Sequence, residues 1–158
     1  GYGDIPRIMY GINLGVGYKG FSITALFQGA AKVSHQYSDI VMNPFTDNGT
    51  IFEHQLDYWT PEHQNATFPR LTTLDNLNNR QISTLNVKDA DFLRLKTLEV
   101  AYDLPTKMIQ KIHLKGLRLF LSGTNLITWT KYKWVDPEAP SLAAPLTRNM
   151  SIGCSLKF

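Results

Sequence analysis

The chain is short of charged residues and nearly free of cysteine. Only 18% of its 158 residues are charged, against about 25% in a typical globular domain. This shortfall predicts that part of the folded surface does not face water. The single cysteine, Cys154, excludes an internal disulfide framework. The formal net charge is only +3 and no long run of basic residues occurs, which argues against nucleic acid as a partner.

Long apolar runs, metal-ligand spacings and catalytic motifs are also missing. No stretch of roughly 18 apolar residues occurs, so no transmembrane helix is expected. The four histidines show no spacing typical of a metal site, and we expect neither a metal nor an organic cofactor. Ser122 and Ser155 lack the context of an activated nucleophile. An enzyme such as a β-barrel lipase is therefore not expected.

Instead, the sequence shows alternation of apolar and polar residues, which is typical of β-strands. From Ile8 to Tyr18 every even position is apolar, while the odd positions are mostly glycine. The dipeptide at 19–20 predicts a tight turn into a second strand. In the third strand the apolar parity changes near Thr97, which predicts a β-bulge. Five strands are predicted, at residues 8–18, 21–30, 92–102, 117–128 and 147–158.

The lengths of the strands and of their connections suggest a membrane barrel. Strands of roughly ten residues suit a bilayer crossing at about 45°. Two short connections alternate with two long ones, at residues 31–91 and 129–146. Outer-membrane barrels combine short periplasmic turns with longer extracellular loops, so we expect the two long segments to be extracellular. Aromatic residues near the strand ends, among them Trp129 and Tyr132, also suit interfacial girdles.

Five strands are too few for a closed barrel. Single-chain bacterial barrels start at about eight strands and generally have an even number. An open edge in lipid would leave backbone hydrogen-bonding groups unsatisfied. We therefore expect further strands, and the missing signal peptide suggests that they precede this sequence.

Residues 56–71 read LDYWTPEHQNATFPRL. This stretch resembles the W-T-P-E-N-x-N-A-x-x-P-R stretch of TonB-dependent transporters of the SusC/RagA family. Two further matches follow in the family's order, DADFLRLK at 89–96 and LRLFLSGTNL at 117–126, with Asp136-Pro137-Glu138 after them. The sequence departs from the family pattern at His63-Gln64 and at Asp91.

The resemblance implies that residues 1–158 are the C-terminal part of an all-β transmembrane barrel. They would supply the last five antiparallel strands of about 22, while the plug domain lies outside this chain. The implied function is nutrient import across a Gram-negative outer membrane. The implied partners are TonB, a SusD-like lipoprotein, outer-membrane lipid and a glycan or peptide substrate. Phe158 occupies the family's terminal aromatic position, which serves as a barrel-assembly signal.

The predicted extracellular loops contain aromatic residues that suit contact with a sugar ring or a lipoprotein. They are Tyr58, Trp59, Trp129, Tyr132 and Trp134. The alternative is that these rings pack the loops against one another. For the whole chain, the alternative is a soluble β-sandwich that binds carbohydrate, with its apolar stripes in a dry core between two sheets.

Overall fold

A computed structural model describes residues 1–74, 78–79, 81–109, 114–139 and 146–157. The regular elements are β1 (Ile8–Tyr18), β2 (Phe21–Ala31), β3 (Ser34–Gln36), α1 (Asp39–Met42), β4 (Val87–Asp89), β5 (Phe92–Asp103), α2 (Thr106–Ile109), β6 (Gly116–Thr130) and β7 (Asn149–Lys157). Two 3-10 turns lie at Thr46–Asn48 and Glu53–Leu56. No helix among the described residues is long and apolar enough to cross a membrane.

The chain forms two compact units. The sheet unit contains Arg7–Ala31, Phe92–Thr130 and Leu146–Phe158. The loop unit contains Gly1–Pro6, Lys32–Asp91 and Lys131–Pro145.

The sheet unit is one antiparallel sheet with strand order β1-β2-β5-β6-β7. The predicted five-stranded antiparallel arrangement is confirmed. β1 and β2 are joined by Lys19 and Gly20, whose φ angles of 48° and 89° are both positive. This conformation matches the twist of the two flanking strands, so a two-residue connection is sufficient.

The register gathers the apolar residues of all five strands on one face. Tyr18 pairs with Phe21, Phe21 with Tyr102, and Tyr102 with Leu119. Directly paired residues point to the same side of a sheet. This apolar face consists of Ile8, Tyr10, Ile12, Leu14, Val16, Tyr18, Phe21, Ile23, Ala25, Phe27, Leu93, Leu95, Leu98, Val100, Tyr102, Leu117, Leu119, Leu121, Ile127, Trp129, Met150, Ile152, Cys154 and Leu156.

The predicted bulge in β5 is confirmed. β2 residues Leu26 and Phe27 pair with Thr97 and Leu95, so Lys96 is the extra residue between them. The insertion reverses the side-chain parity and returns Leu95 to the apolar face. On the other side of β5, the pairing with β6 shifts at the same height, between Leu95 and Thr97.

β6 is longer than its predicted range of 117–128, and β7 is shorter than its predicted range of 147–158. β6 extends to Thr130 because its ladder with β5 continues to the pair Phe92↔Thr130. β7 ends at Lys157, and the predicted assembly signal Phe158 lies outside the described residues.

The long segment between β2 and β5 carries regular structure of its own. β3 and β4 form a two-stranded antiparallel sheet, with His35 opposite Lys88. α1 and the two 3-10 turns lie between them. The buried apolar side chains of the loop unit include Val33, Tyr37, Val41, Met42, Phe68, Ala90 and Tyr132. A loop of this length is therefore a packed structure and not an extended connection.

Candidate functional site

The loop unit is organised around a cluster of stacked rings. Tyr37 lies against Tyr132 with centroids 4.4 Å apart and planes 11° apart. The Tyr37 hydroxyl donates to the Lys133 carbonyl at 2.7 Å. Trp134 stacks on His54 at 4.8 Å and also contacts Tyr37. The cluster therefore ties residues after β2 to residues after β6.

Burial within this cluster perturbs its two tyrosines. Burial raises the pKa of Tyr37 to about 12, although the hydrogen bond to Lys133 acts in the opposite direction. Burial, and then the neighbouring Tyr37, also raise the pKa of Tyr132. Both phenols therefore remain neutral at physiological pH, as is appropriate for packing groups.

Gln55 fixes the segment around α1. Its side chain is fully buried, and its Nε2 donates to the carbonyls of Ile40 and Val41 at 3.1 and 3.0 Å. Its Oε1 accepts the backbone N–H of Phe52 at 2.9 Å. A buried amide with donors and acceptor satisfied holds its neighbours firmly, because an unpaired buried polar group is costly.

Asp57 closes a loop that contains the family-like W-T-P-E stretch. Its carboxylate lies 2.8 Å from His63 Nε2 and accepts the Thr67 backbone N–H at 3.1 Å. Backbone bonds from Phe68 to Asp57 and from Trp59 to Phe68 complete the closure. Hydrogen bonds from Thr67 and then His63 lower the pKa of Asp57 to about 2, so the carboxylate is ionised over the physiological range.

The two departures from the family pattern thus have structural roles that the sequence did not indicate. His63 is a partner of Asp57. Asp91 accepts the backbone N–H of Val33 at 3.1 Å, which ties the two ends of the 32–91 segment together within the loop unit. Neither role follows from local spacing, because each bond closes a loop.

The structure separates the predicted ligand-contact residues by exposure. Trp59 and Trp134 are 37% and 41% exposed, and Tyr58 is half-buried. Tyr132 is only 1% exposed within the loop unit. Tyr132 therefore packs loops together, as the alternative interpretation of these aromatics expected. Trp134 also packs in the ring cluster but keeps part of its ring surface exposed, as Trp59 does.

The prediction that Trp129 lies in a loop is wrong. Trp129 belongs to β6, where it pairs with Leu93 on the apolar face of the sheet. Its ring stacks on Phe27 with centroids 6.5 Å apart. The sequence signal failed because the end of β6 is set by its pairing with β5.

The two faces of the sheet differ sharply in chemistry. Large apolar side chains on the apolar face are solvent-exposed in this chain, up to 87% for Ile152. On the opposite face Arg118 donates to Glu99 at 3.0 Å and to Asp103 at 3.1 Å. It also donates to the hydroxyl of Ser22 on β2, across the intervening strand β5. Exposed apolar area of this extent requires a non-aqueous neighbour, whereas the charged network suits water or polar protein.

Among the described residues, no group of histidine, cysteine and acidic side chains could hold a metal ion.

No protein-family model matches the chain. Two curated relatives from Formosa agariphila are similar in sequence. TonB-dependent receptor P26 is 27% identical over 94% of this chain and 15% of its own length. TonB-dependent receptor P3 is 31% identical over 85% of this chain and 13% of its own length. The chain thus spans about a seventh of the relatives that it matches.

The chain is also similar to solved structures of a peptide importer, RagAB. The structure of the RagAB peptide transporter matches with a TM-score of 0.75 and 29% identity, over 97% of this chain and 17% of that one. The importer in its open-open state matches with a TM-score of 0.70 and 30% identity, over 98% and 17%. The sheet is therefore part of a large antiparallel outer-membrane β-barrel.

The chain is a segment of a TonB-dependent transporter of the SusC/RagA type.

Proposed function

We propose that the parent protein imports a nutrient across the outer membrane of a Gram-negative bacterium. Its proposed substrate is a glycan or a peptide, and uptake depends on TonB. In this proposal the chain forms the C-terminal part of the barrel wall together with the loops at 31–91 and 129–146, which are extracellular. The plug and the TonB-contacting segment belong to other parts of the protein.

The observation that carries the proposal is the continuous apolar face of the sheet. It runs through all five strands, and many of its large side chains are exposed. Lipid is the neighbour that satisfies such a face, while the Arg118 network faces the polar interior of the barrel. The named relatives support this direction, since they are receptors and an importer. In this proposal the chain supplies part of the barrel wall and takes no part in catalysis.

We propose a SusD-like surface lipoprotein as the partner of the extracellular loops. The matched structures are of the RagAB complex, which supports a protein partner here in general terms. Trp59 and Trp134 are the exposed aromatics suited to this contact or to the substrate. Aromatic residues are enriched at the energetically important centre of protein interfaces. Phe158 is proposed as the barrel-assembly signal.

The location and the need for a membrane are tested first. The full-length parent is followed through membrane fractionation, and its solubility is measured with and without detergent. We expect it in the outer membrane as a heat-modifiable species that requires detergent. A protein that is monodisperse in plain buffer would support the soluble β-sandwich and overturn the proposal.

Transport and partner binding are tested in a strain that lacks the parent gene. We expect this strain to lose growth on one class of glycan or peptide, and the full-length gene to restore it. Trp59→Ala and Trp134→Ala should reduce co-purification of the lipoprotein. Tyr132→Phe is the matched control, since Tyr132 is buried and the variant retains the ring. Normal growth of the deletion strain on every glycan and peptide tested would contradict import.

A further inference from the structure

A groove in the loop unit combines a cationic residue with an apolar wall. It is lined by residues 42–45, 69–70 and 72–74, together with Asn79. The enclosed part has a volume of about 110 Å³. A wider, more open part shares Pro69, Arg70, Thr72, Leu74 and Asn79 with it. None of the residues that line this groove belongs to the apolar face of the sheet or to the ring cluster.

Three of the polar side chains that line the groove have no partner among the described residues. Arg70 is exposed, and in the described part of the chain its guanidinium makes no hydrogen bond or ion pair. The same holds, within those residues, for the side chains of Thr73 and Asn79. Asn43 is oriented by Asp39, to which its amide donates at 3.4 Å. Arg70, Thr73 and Asn79 thus place a guanidinium, a hydroxyl and an amide along one concave surface.

The apolar wall consists of Met42, Pro44, Phe45 and Pro69. Phe45 has a φ of 63° in the left-handed region, where a bulky residue is an outlier. Residues in sparsely populated backbone regions concentrate at binding sites. Phe45 therefore holds an unfavourable conformation at the edge of the groove.

Both sides of the groove are fixed by the surrounding structure. Gln55 and His54 hydrogen-bond to the carbonyl of Val41, which immediately precedes residues 42–45. Phe68 immediately precedes Pro69, is buried, and forms backbone hydrogen bonds with Asp57 and Trp59. A backbone that is held at both walls before the ligand arrives loses less entropy on binding.

We propose that this groove binds a carboxylate group of the imported substrate, with Arg70 as its cationic partner. The planar guanidinium fork matches a carboxylate with two parallel hydrogen bonds. Thr73 and Asn79 supply further donors, and the wall around Phe45 accepts the apolar part of the ring or side chain that carries the acid. The enclosed part of about 110 Å³ corresponds to about four water molecules and suits a single acidic group. The wider part beside it has room for the adjoining portion of the ligand.

This inference rests on the proposed import function and specifies the substrate chemistry. The carboxylate belongs either to an acidic sugar or to a peptide C-terminus, and the two sources are compared with separate probes. Trigalacturonate is paired with its methyl ester, and trialanine with its C-terminal amide. Binding of each probe to the purified full-length transporter with its lipoprotein is measured by calorimetry.

The variants are Arg70→Gln, Arg70→Lys and Arg148→Gln. Arg148 is an exposed arginine of the sheet unit and serves as the matched control. In the wild type, we expect one acid to bind about tenfold more tightly than its neutral form, as for a charged hydrogen bond at a partly exposed site. Arg70→Gln should reduce that ratio to about one. Arg70→Lys should retain part of it, because lysine keeps the charge and loses the fork. Arg148→Gln should leave the ratio unchanged.

The pair that shows the preference identifies the source of the carboxylate. The proposal fails if neither acid binds better than its neutral form, which includes the case in which no probe binds. It also fails if the preference persists in Arg70→Gln. Heat-modifiable mobility of each variant confirms that the barrel is folded. Failure here leaves the import function intact, because location and nutrient-dependent growth are measured independently.

Discussion

An arginine at position 152 tests the lipid-facing assignment directly. Ile152 lies near the middle of β7, is 87% exposed, and pairs with Leu121 on the apolar face. An arginine on the lipid side near the bilayer midplane costs about 2–4 kcal/mol. The same change on a water-exposed surface usually alters stability by less than about 0.5 kcal/mol. The two environments therefore give clearly different results.

The neighbouring residue provides the matched control. Ser151 points to the opposite face, where it pairs with Ser122, and Ser122 pairs with Glu99. An arginine at position 151 enters a polar surface that already contains carboxylates, so we expect little loss of stability. The two variants carry the same new charge one residue apart in the same strand.

The assay is the folded fraction of the full-length protein in lipid vesicles across a denaturant series, read from heat-modifiable mobility. A loss of about 2–4 kcal/mol corresponds to a decrease of roughly 30-fold to several hundred-fold in the folded-to-unfolded ratio. We expect this for Ile152→Arg and not for Ser151→Arg. Equal effects of the two substitutions, or a harmless Ile152→Arg, would refute the assignment of the two faces.

Three further predictions concern local structure. Gly29→Ala places a Cβ about 2.5 Å from the Tyr10 ring and against the Phe92 carbonyl. This substitution should lower the free energy of unfolding by about 1–3 kcal/mol. Gly15→Ala is the control and should not lower it, because its Cβ meets no atom within 4 Å. Chemical unfolding measures both. Gln55→Leu removes the side-chain partner of the Ile40 carbonyl and of the Phe52 N–H, while His54 still binds the Val41 carbonyl. It should cost about 1–3 kcal/mol, seen as faster proteolysis of the loop unit. The pKa of Asp57 is lowered to about 2. The hydrogen bonds of its ionised carboxylate to Thr67 and His63 should therefore be intact above the ordinary pKa near 4, and should be lost as the pH falls through about 2 and the carboxylate is protonated. Hydrogen exchange of the Thr67 amide, corrected for intrinsic rates, should show this loss, and Asp57→Asn should remove the pH dependence.

The strands were predictable because the face of a side chain is a local property of the chain. Alternation in β1 and β7 is visible residue by residue, and the parity change near Thr97 predicted the bulge at Lys96. The end of β6 was not predictable, because Trp129 is in a strand only through its partner Leu93 on β5. Strand ends depend on the neighbour that supplies the hydrogen bonds.

The candidate site was predicted only in part. The sequence indicated that Trp59 and Trp134 lie in long loops, but aromatic content does not distinguish an exposed ring from a buried one such as Tyr132. Gln55 gave no signal, because its partners are backbone carbonyls that every sequence contains. The groove of Arg70 was also unforeseen, since two separate segments form its sides.

By itself, then, the sequence determined that this chain makes antiparallel strands with one apolar and one polar face, and which family it resembles. Both conclusions depend on residue order over ten or twenty positions, where alternation and motifs are complete within the chain. Tertiary structure alone decided which aromatic rings are exposed, that Asp57 meets His63, and that Arg70 stands in a groove. These facts depend on contacts between residues distant in sequence, which form only when the loops pack.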